Sequence, residues 1–219
     1  MILLLCFVGV ISGCGGTEMV FNPIIVPAAE PPTVDGKLST GEWDAAIVKT
    51  FTDGSELLFM HSDGYLYLGI RANKPGMIAG NVLIQRGDEI AILHSSAALG
   101  TAIYQRGEQS WQQKQNFTWQ CRDTSNSDAA NEERRAFLRQ EGWVAANSRM
   151  GTPSELEYRV EITEEKLHMA VNIIRASNPS EKIPWPPNLD DDSIKPTPGG
   201  LPEILSFSLE QWGLLEVSK

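Results

Sequence analysis

The segment Glu155 to Ile162 alternates without a break. Leu156, Tyr158, Val160 and Ile162 fall on one side, and Glu155, Glu157, Arg159 and Glu161 on the other. A period of two fits a β-strand and no helix; with charges on every second residue, it predicts a strand with one face on a core and one in water. The rhythm returns in Tyr65 to Arg71, around Leu66, Leu68 and Ile70, and in Leu167 to Ile174, through Leu167, Met169, Val171 and Ile173. Shorter candidates lie at 81–85, 89–94, 101–105, 116–121 and 204–209. Turn signals separate several of them: Ser62-Asp63-Gly64, Lys74-Pro75-Gly76 and Arg86-Gly87-Asp88. Many short strands with such punctuation predict a mainly-β fold, an antiparallel β-sandwich of jelly-roll type.

Two segments break the rhythm. Asp128 to Glu141 is rich in Glu, Arg and Ala, with Ser127 placed to cap its start and Gly142 its end; Ala130, Phe137 and Leu138 make a narrow apolar stripe. This reads as one surface helix inserted in a long connection. Ser177 to Pro202 carries seven prolines. Proline cannot join a central ladder, so this stretch reads as loop; loops of such length are usually functional or mobile.

Charge narrows the function. The 219 residues hold 28 acidic and 18 basic side chains, a formal net charge of −10. Nucleic-acid binding needs clustered Lys and Arg, which argues against that class of partner.

The start of the chain reads as an address. Ile2 to Ile11 is apolar throughout, too short to span a bilayer and suited to a signal-peptide core. The following Ile11-Ser12-Gly13-Cys14 resembles a bacterial lipobox, which implies a lipid on the Cys14 thiol, palmitate-type chains included, and anchoring by acyl burial. The organisation expected is a signal peptide over 1–13, a tether over 14–29 and a sandwich domain over 30–219. The protein would sit on a bacterial cell envelope, at the outer membrane or cell surface, facing periplasm or exterior. With Cys6 removed and Cys14 lipidated, only Cys121 remains in the domain, which leaves no intramolecular disulfide. Cys121 shares a strand face with Phe117 and Trp119 and reads as core.

The stretch from Pro32 to Ala46, with Asp35-Gly36 and Glu42-Trp43-Asp44-Ala45-Ala46, resembles the opening of family 9 carbohydrate-binding modules and their DOMON-like relatives. Tyr65-Leu-Tyr-Leu-Gly-Ile-Arg71, Gly87-Asp-Glu-Ile-Ala-Ile-Leu93 and Glu157-Tyr-Arg-Val-Glu-Ile162 are similar to later strands of that family, in order. The resemblance spans about residues 30 to 212. It implies a jelly-roll-like sandwich outside the cytoplasm and, in better-known members, sugar binding and bound calcium. Neither the insertion from Gly107 to Met150 nor the Pro-rich stretch has an obvious counterpart there.

Sugar binding needs flat aromatic faces beside amides and carboxylates. Of six tryptophans, Trp43 reads as a plug at one end of the sandwich and Trp119 as core. Trp212 reads as packing a terminal turn behind a capping box at Ser208 and Gln211. Trp185, Trp111 and Trp143 remain as ligand-binding candidates. Trp185 is held in Ile-Pro-Trp-Pro-Pro, and Trp111 lies among glutamines. In the run 190–192, Asp190 and Asp192 are the candidate calcium ligands, with Asn188 or carbonyls completing the shell; a solvated acidic loop is the plainer reading. Haem-binding relatives draw attention to Met60-His61 and His168-Met169, but strand alternation turns one of each pair inward at most. No nucleophile-elbow, HExxH or CxxC signature occurs, and the expected function is not enzymatic. The expectation is a lipid-anchored envelope protein that binds saccharide non-catalytically. The alternative is a structural or assembly lipoprotein that holds another envelope protein through its long insertion and Pro-rich segment.

Overall fold

The computed structural model describes residues 22–175, 180–187, 189–197 and 200–217. The expected lipid-acceptor Cys14, the signal segment and Asn188 lie outside them. Strands β1 (Ile24–Val26), β2 (Ile47–Thr50), β3 (Glu56–Ser62), β4 (Tyr65–Arg71), β5 (Ile78–Arg86), β6 (Glu89–Ser95), β7 (Leu99–Arg106) and β8 (Trp111–Gln120) precede helix α1 (Asp128–Glu141). After it come β9 (Trp143–Ala146), β10 (Glu155–Glu161), β11 (Lys166–Arg175), β12 (Glu181–Trp185), β13 (Ile204–Leu205) and β14 (Gly213–Val217). One sheet runs β1-β14-β11-β5-β6-β7-β8-β13, with β12 also on β11; the other runs β2-β3-β4-β10-β9. The fold is thus a mainly-β sandwich with one helix. All pairings between these strands are antiparallel except β1 with β14.

The alternation does its expected work on one face. Leu156, Tyr158 and Val160 of β10 join Leu66, Leu68 and Ile70 of β4 and Val82, Leu93, Met169 and Val171 of the larger sheet in the core between the sheets. Burying one such aliphatic side chain contributes roughly 1.5–3 kcal/mol. Hairpins fall at two of the turn signals. The β3–β4 loop is Asp63-Gly64, and both residues have positive φ (49° and 78°), which a two-residue hairpin turn of right-handed strands demands.

The other face is in water only at its far end, where Glu161 is exposed. Glu157 is wholly buried and Glu155 nearly so, because the segment from Ala29 to Ala46 lies across the outer face of the five-stranded sheet. Leu38, Trp43, Leu58, Met60 and Tyr67 form a second apolar cluster there. Trp43 is buried as expected, but against the backbone of Gly69, where an added Cβ would come within 3.3 Å of the indole; it flanks the sheet and does not plug an end.

Helix α1 matches its expected ends. The Ser127 hydroxyl accepts from the Ala130 N–H at 3.2 Å, and Gly142, at φ 69°, donates its N–H to the Leu138 carbonyl. Phe137 inserts edge-on against Trp143, 5.1 Å between ring centres.

The Pro-rich stretch departs from the reading as loop. β12 pairs with β11, with Pro184 opposite Asn172. Proline is tolerated because β12 is an edge strand whose far side needs no ladder donor. Further on, Leu189, Leu205, Phe207 and Trp212 fold onto the outer face of the larger sheet, over Leu83, Ile90, Ile92 and Ala102. Residues 189–197 and 200–212 are therefore a strap that closes a third apolar layer. Gly213 lets β14 start beneath Trp185: an alanine Cβ would stand 2.3 Å from the indole Cη2. Gly213→Ala is expected to cost about 2 kcal/mol, as overpacking does, read as a lower urea midpoint at unchanged slope.

Candidate functional site

An open cleft lies between α1 and the outer face of the five-stranded sheet, with a volume of about 420 Å³, inside the roughly 300–1,000 Å³ range of small-molecule sites. Its floor follows from strand register. Tyr67 on β4, Arg159 on β10 and Val144 on β9 pair in one row, so their side chains share the outer face. One wall is α1, through Asn131, Arg134, Arg135 and Leu138; the other is Pro31, Pro32 and Val34 of the N-terminal segment, with Asp63 at the hairpin completing the rim.

Arg159 sits centrally. Its guanidinium lies 3.8 Å from the centre of the Tyr65 ring and 6.0 Å from that of Tyr67, so cation–π attraction helps fix it in place. Its Nε is buried and has no hydrogen-bond partner. Among the described residues neither Arg159 nor Arg134 makes an ion pair, whereas Arg135 is paired with Glu132 at 2.9 Å. Arg134 is tied instead to the carbonyls of Asp123 and Ser125 and to Asn131 Oδ1. Burial pushes the Tyr67 phenol above its ordinary value, opposed by the positive charge of Arg159.

Next to the cleft, Glu157 holds the segment that forms its far wall. Its Oε2 accepts from the backbone N–H groups of Asp35 (2.8 Å), Gly36 (2.7 Å) and Lys37 (3.2 Å), and its Oε1 from the Trp43 indole (3.1 Å). Burial pushes the carboxyl up to about 7, against the pull of these donors. Glu155 takes the next N–H, from Leu38, and Arg71.

The sequence candidates stand elsewhere. Trp185, Trp111 and Trp143 do not form an open platform; all three are buried, at 4%, 5% and 0% exposure. Trp143 stacks near Tyr158 and donates its indole N–H to Thr101 Oγ1 at 2.8 Å. Trp111 lies beside Phe207 under Arg106, and Trp185 packs on Phe59. Each fills a space between layers, which leaves no face for a sugar ring. Trp119, expected in the core, is half-exposed beside Phe117 on the outer face of the larger sheet, where both rings cover His94. Burial lowers the His94 pKa to about 4, and its Nε2 has no partner. Cys121 is core, as expected, but it lies past the end of β8 in the cluster between the sheets and does not share the face of Phe117 and Trp119; burial pushes its thiol up to about 11.

The acidic run does not converge on a cation. Asp192 is paired with Lys195 at 2.6 Å and accepts from Ser206 N–H. Asp191 turns inward to the N–H groups of Ser193, Ser208 and the Trp212 indole. Asp190 offers its own N–H to Gln211. Asp192 spends its carboxylate on Lys195 and Ser206, and among the described residues no cluster of three or more His, Cys, Asp or Glu could hold a metal. The expected capping box at Ser208 is absent, since its side chain makes no cap and Gln211 bonds Asp190. Met60 lies in the outer cluster and Met169 between the sheets, so the two pairs considered for haem do not face a common space.

Sequence reasoning missed Arg159, which it placed on a solvated face. The available signal was that one cation stands among Glu155, Glu157 and Glu161 on that face; what covers the face was not in the pattern. Compared with protein-family models, with curated proteins and with solved structures, the chain has no match. No helix among the described residues is long and apolar enough to cross a membrane.

Proposed function

We propose that this chain is a lipid-anchored bacterial envelope protein whose sandwich binds a saccharide, without chemistry on it, in the cleft between α1 and the five-stranded sheet. The observation that carries this reading is the cleft itself: an open volume of about 420 Å³ whose floor holds an arginine with no ion pair among the described residues, beside tyrosine rings. Such a mixture of apolar walls and a few convergent polar groups is what small-ligand sites use for orientation. The lipobox-like Cys14 and the resemblance to family 9 binding modules support the address and the ligand class. The alternative, assembly with another envelope protein, rests partly on the Pro-rich segment, whose Leu189 and Leu201 pack on the larger sheet.

Calorimetric titration of the purified full chain with a panel of mono- and oligosaccharides tests the proposal. Saturable binding is expected, and Asn131→Trp, which fills the cleft from the helix surface, is expected to weaken it about tenfold or more while the fold and melting curve persist. Binding that Asn131→Trp leaves unchanged would move the site elsewhere, and no binding across the panel would overturn the reading.

A further inference from the structure

We infer that the cleft's ligand carries a carboxylate, a uronic-acid-type saccharide, held by Arg159; this rests on the cleft being the ligand site. Arg159 is a planar fork fixed from below by Tyr65 at 3.8 Å, with its Nε buried and unpartnered. Native structures rarely leave an arginine without a carboxylate or other acceptor for its N–H groups. The Nε faces no solvent, so a ligand in the cleft meets the Nη groups, which make no hydrogen bond or ion pair among the described residues, and a planar carboxylate can engage both end-on.

The local charge agrees. Arg134, Arg135 and Arg159 line the cleft against one acid, Asp63, and Arg134 and Arg159 have no carboxylate partner among the described residues. The whole chain is acidic, at −10. That charge is spread over the surface, and beyond about 8 Å it is largely screened at physiological salt. The arginines at the site therefore decide the sign an incoming ligand meets. The tyrosine-held guanidinium suits one oxyanion, and the apolar wall of Val34, Val144 and Leu138 suits the C–H faces of the ring that bears it.

The test titrates the full chain with glucuronate and galacturonate, with glucose and galactose, and with glucose 6-phosphate, at low and high salt. The uronates are expected to bind more tightly than the neutral hexoses and to weaken as salt rises. Arg159→Gln is expected to lower uronate affinity about tenfold to a hundredfold. Arg159→Lys keeps the charge and stem but not the fork, and is expected to fall between the two. Arg139→Ala, on the same helix but outside the cleft lining and paired with Glu132, should change affinity by less than about twofold. Neutral sugars binding as tightly as uronates, with Arg159→Gln lowering both equally, would overturn the carboxylate assignment and leave the cleft a saccharide site. Tighter binding of the phosphate ester would overturn it in favour of a phosphorylated sugar. Binding of no sugar at all would overturn this inference and the proposed function together.

Discussion

Replacing Glu157 by alanine is expected to cost about 4 kcal/mol, enough to unfold a sizeable fraction of a marginally stable domain. The carboxylate satisfies three consecutive backbone N–H groups of the Asp35–Lys37 turn and the Trp43 indole, all on one buried side chain. Removing it strands four donors, each costing about 1–3 kcal/mol where water cannot reach, and re-solvation of the turn returns part of that. The turn then lifts, carrying Leu38 and Trp43 from the outer face. Urea unfolding followed by near-ultraviolet circular dichroism measures the loss. A loss below about 1 kcal/mol would mean that the turn is held by something else.

Glu157 also sets a pH dependence. Its folded pKa is raised from 4.5 to about 7 by burial. The folded state therefore keeps a proton that the unfolded chain releases. The stability from this group is fully present below about pH 4.5 and is lost as pH rises through about 7. His94 acts in the opposite sense: lowered from 6.5 to about 4, it makes stability rise with pH across that span. The two oppose each other from about 4.5 to 6.5, and above 6.5 Glu157 remains. The wild type is expected to lose stability from about pH 6.5 to 8, and Glu157→Gln, which has no proton to release, is expected to lose none from this source.

Asp191→Ala is the second large effect, about 3 kcal/mol. Asp191 Oδ1 accepts from Ser193 N–H, and Oδ2 from Ser208 N–H and the Trp212 indole, at 2.8 to 2.9 Å. It ties the start of the strap, at Ser193, to its end, at Ser208 and Trp212. Without it the strap loosens over Leu83, Ile90 and Ile92, so limited proteolysis is expected to cut within 189–211 before the sandwich. Increased binding of an apolar dye should accompany the cut. Cleavage confined to the α1 insertion would show that the strap does not depend on Asp191.

These two carboxylates show where sequence reading stopped. Alternation in Glu155–Ile162 correctly separated Leu156, Tyr158 and Val160 from Glu157 and Arg159. A period of two says which residues share a face and nothing about what lies over it. The cover comes from residues 29–46, more than a hundred positions away, so Glu155 and Glu157, on a face that reads as solvated, prove buried. The hairpin at Asp63-Gly64 and the caps at Ser127 and Gly142 were legible because their causes are local: positive φ, a short acceptor side chain, a chain stop. Trp111, Trp143 and Trp185 were misread because an abundance of indoles predicts aromatic surface only where layers leave a face open, and here each is interleaved between elements. The cleft was not legible at all, since its three walls come from α1, from β4, β9 and β10, and from the N-terminal segment.

The central claim is that the cleft beside Arg159 receives a saccharide. Backbone amide chemical shifts of the isotope-labelled full chain, followed during titration with glucuronate and oligosaccharides, test it most directly. The account predicts saturable shifts grouped at residues 131–138, 144–145 and 159, with Tyr65 and Tyr67 joining them. Saturable shifts grouped instead around Phe117 and Trp119, or none at saturating sugar, would contradict it.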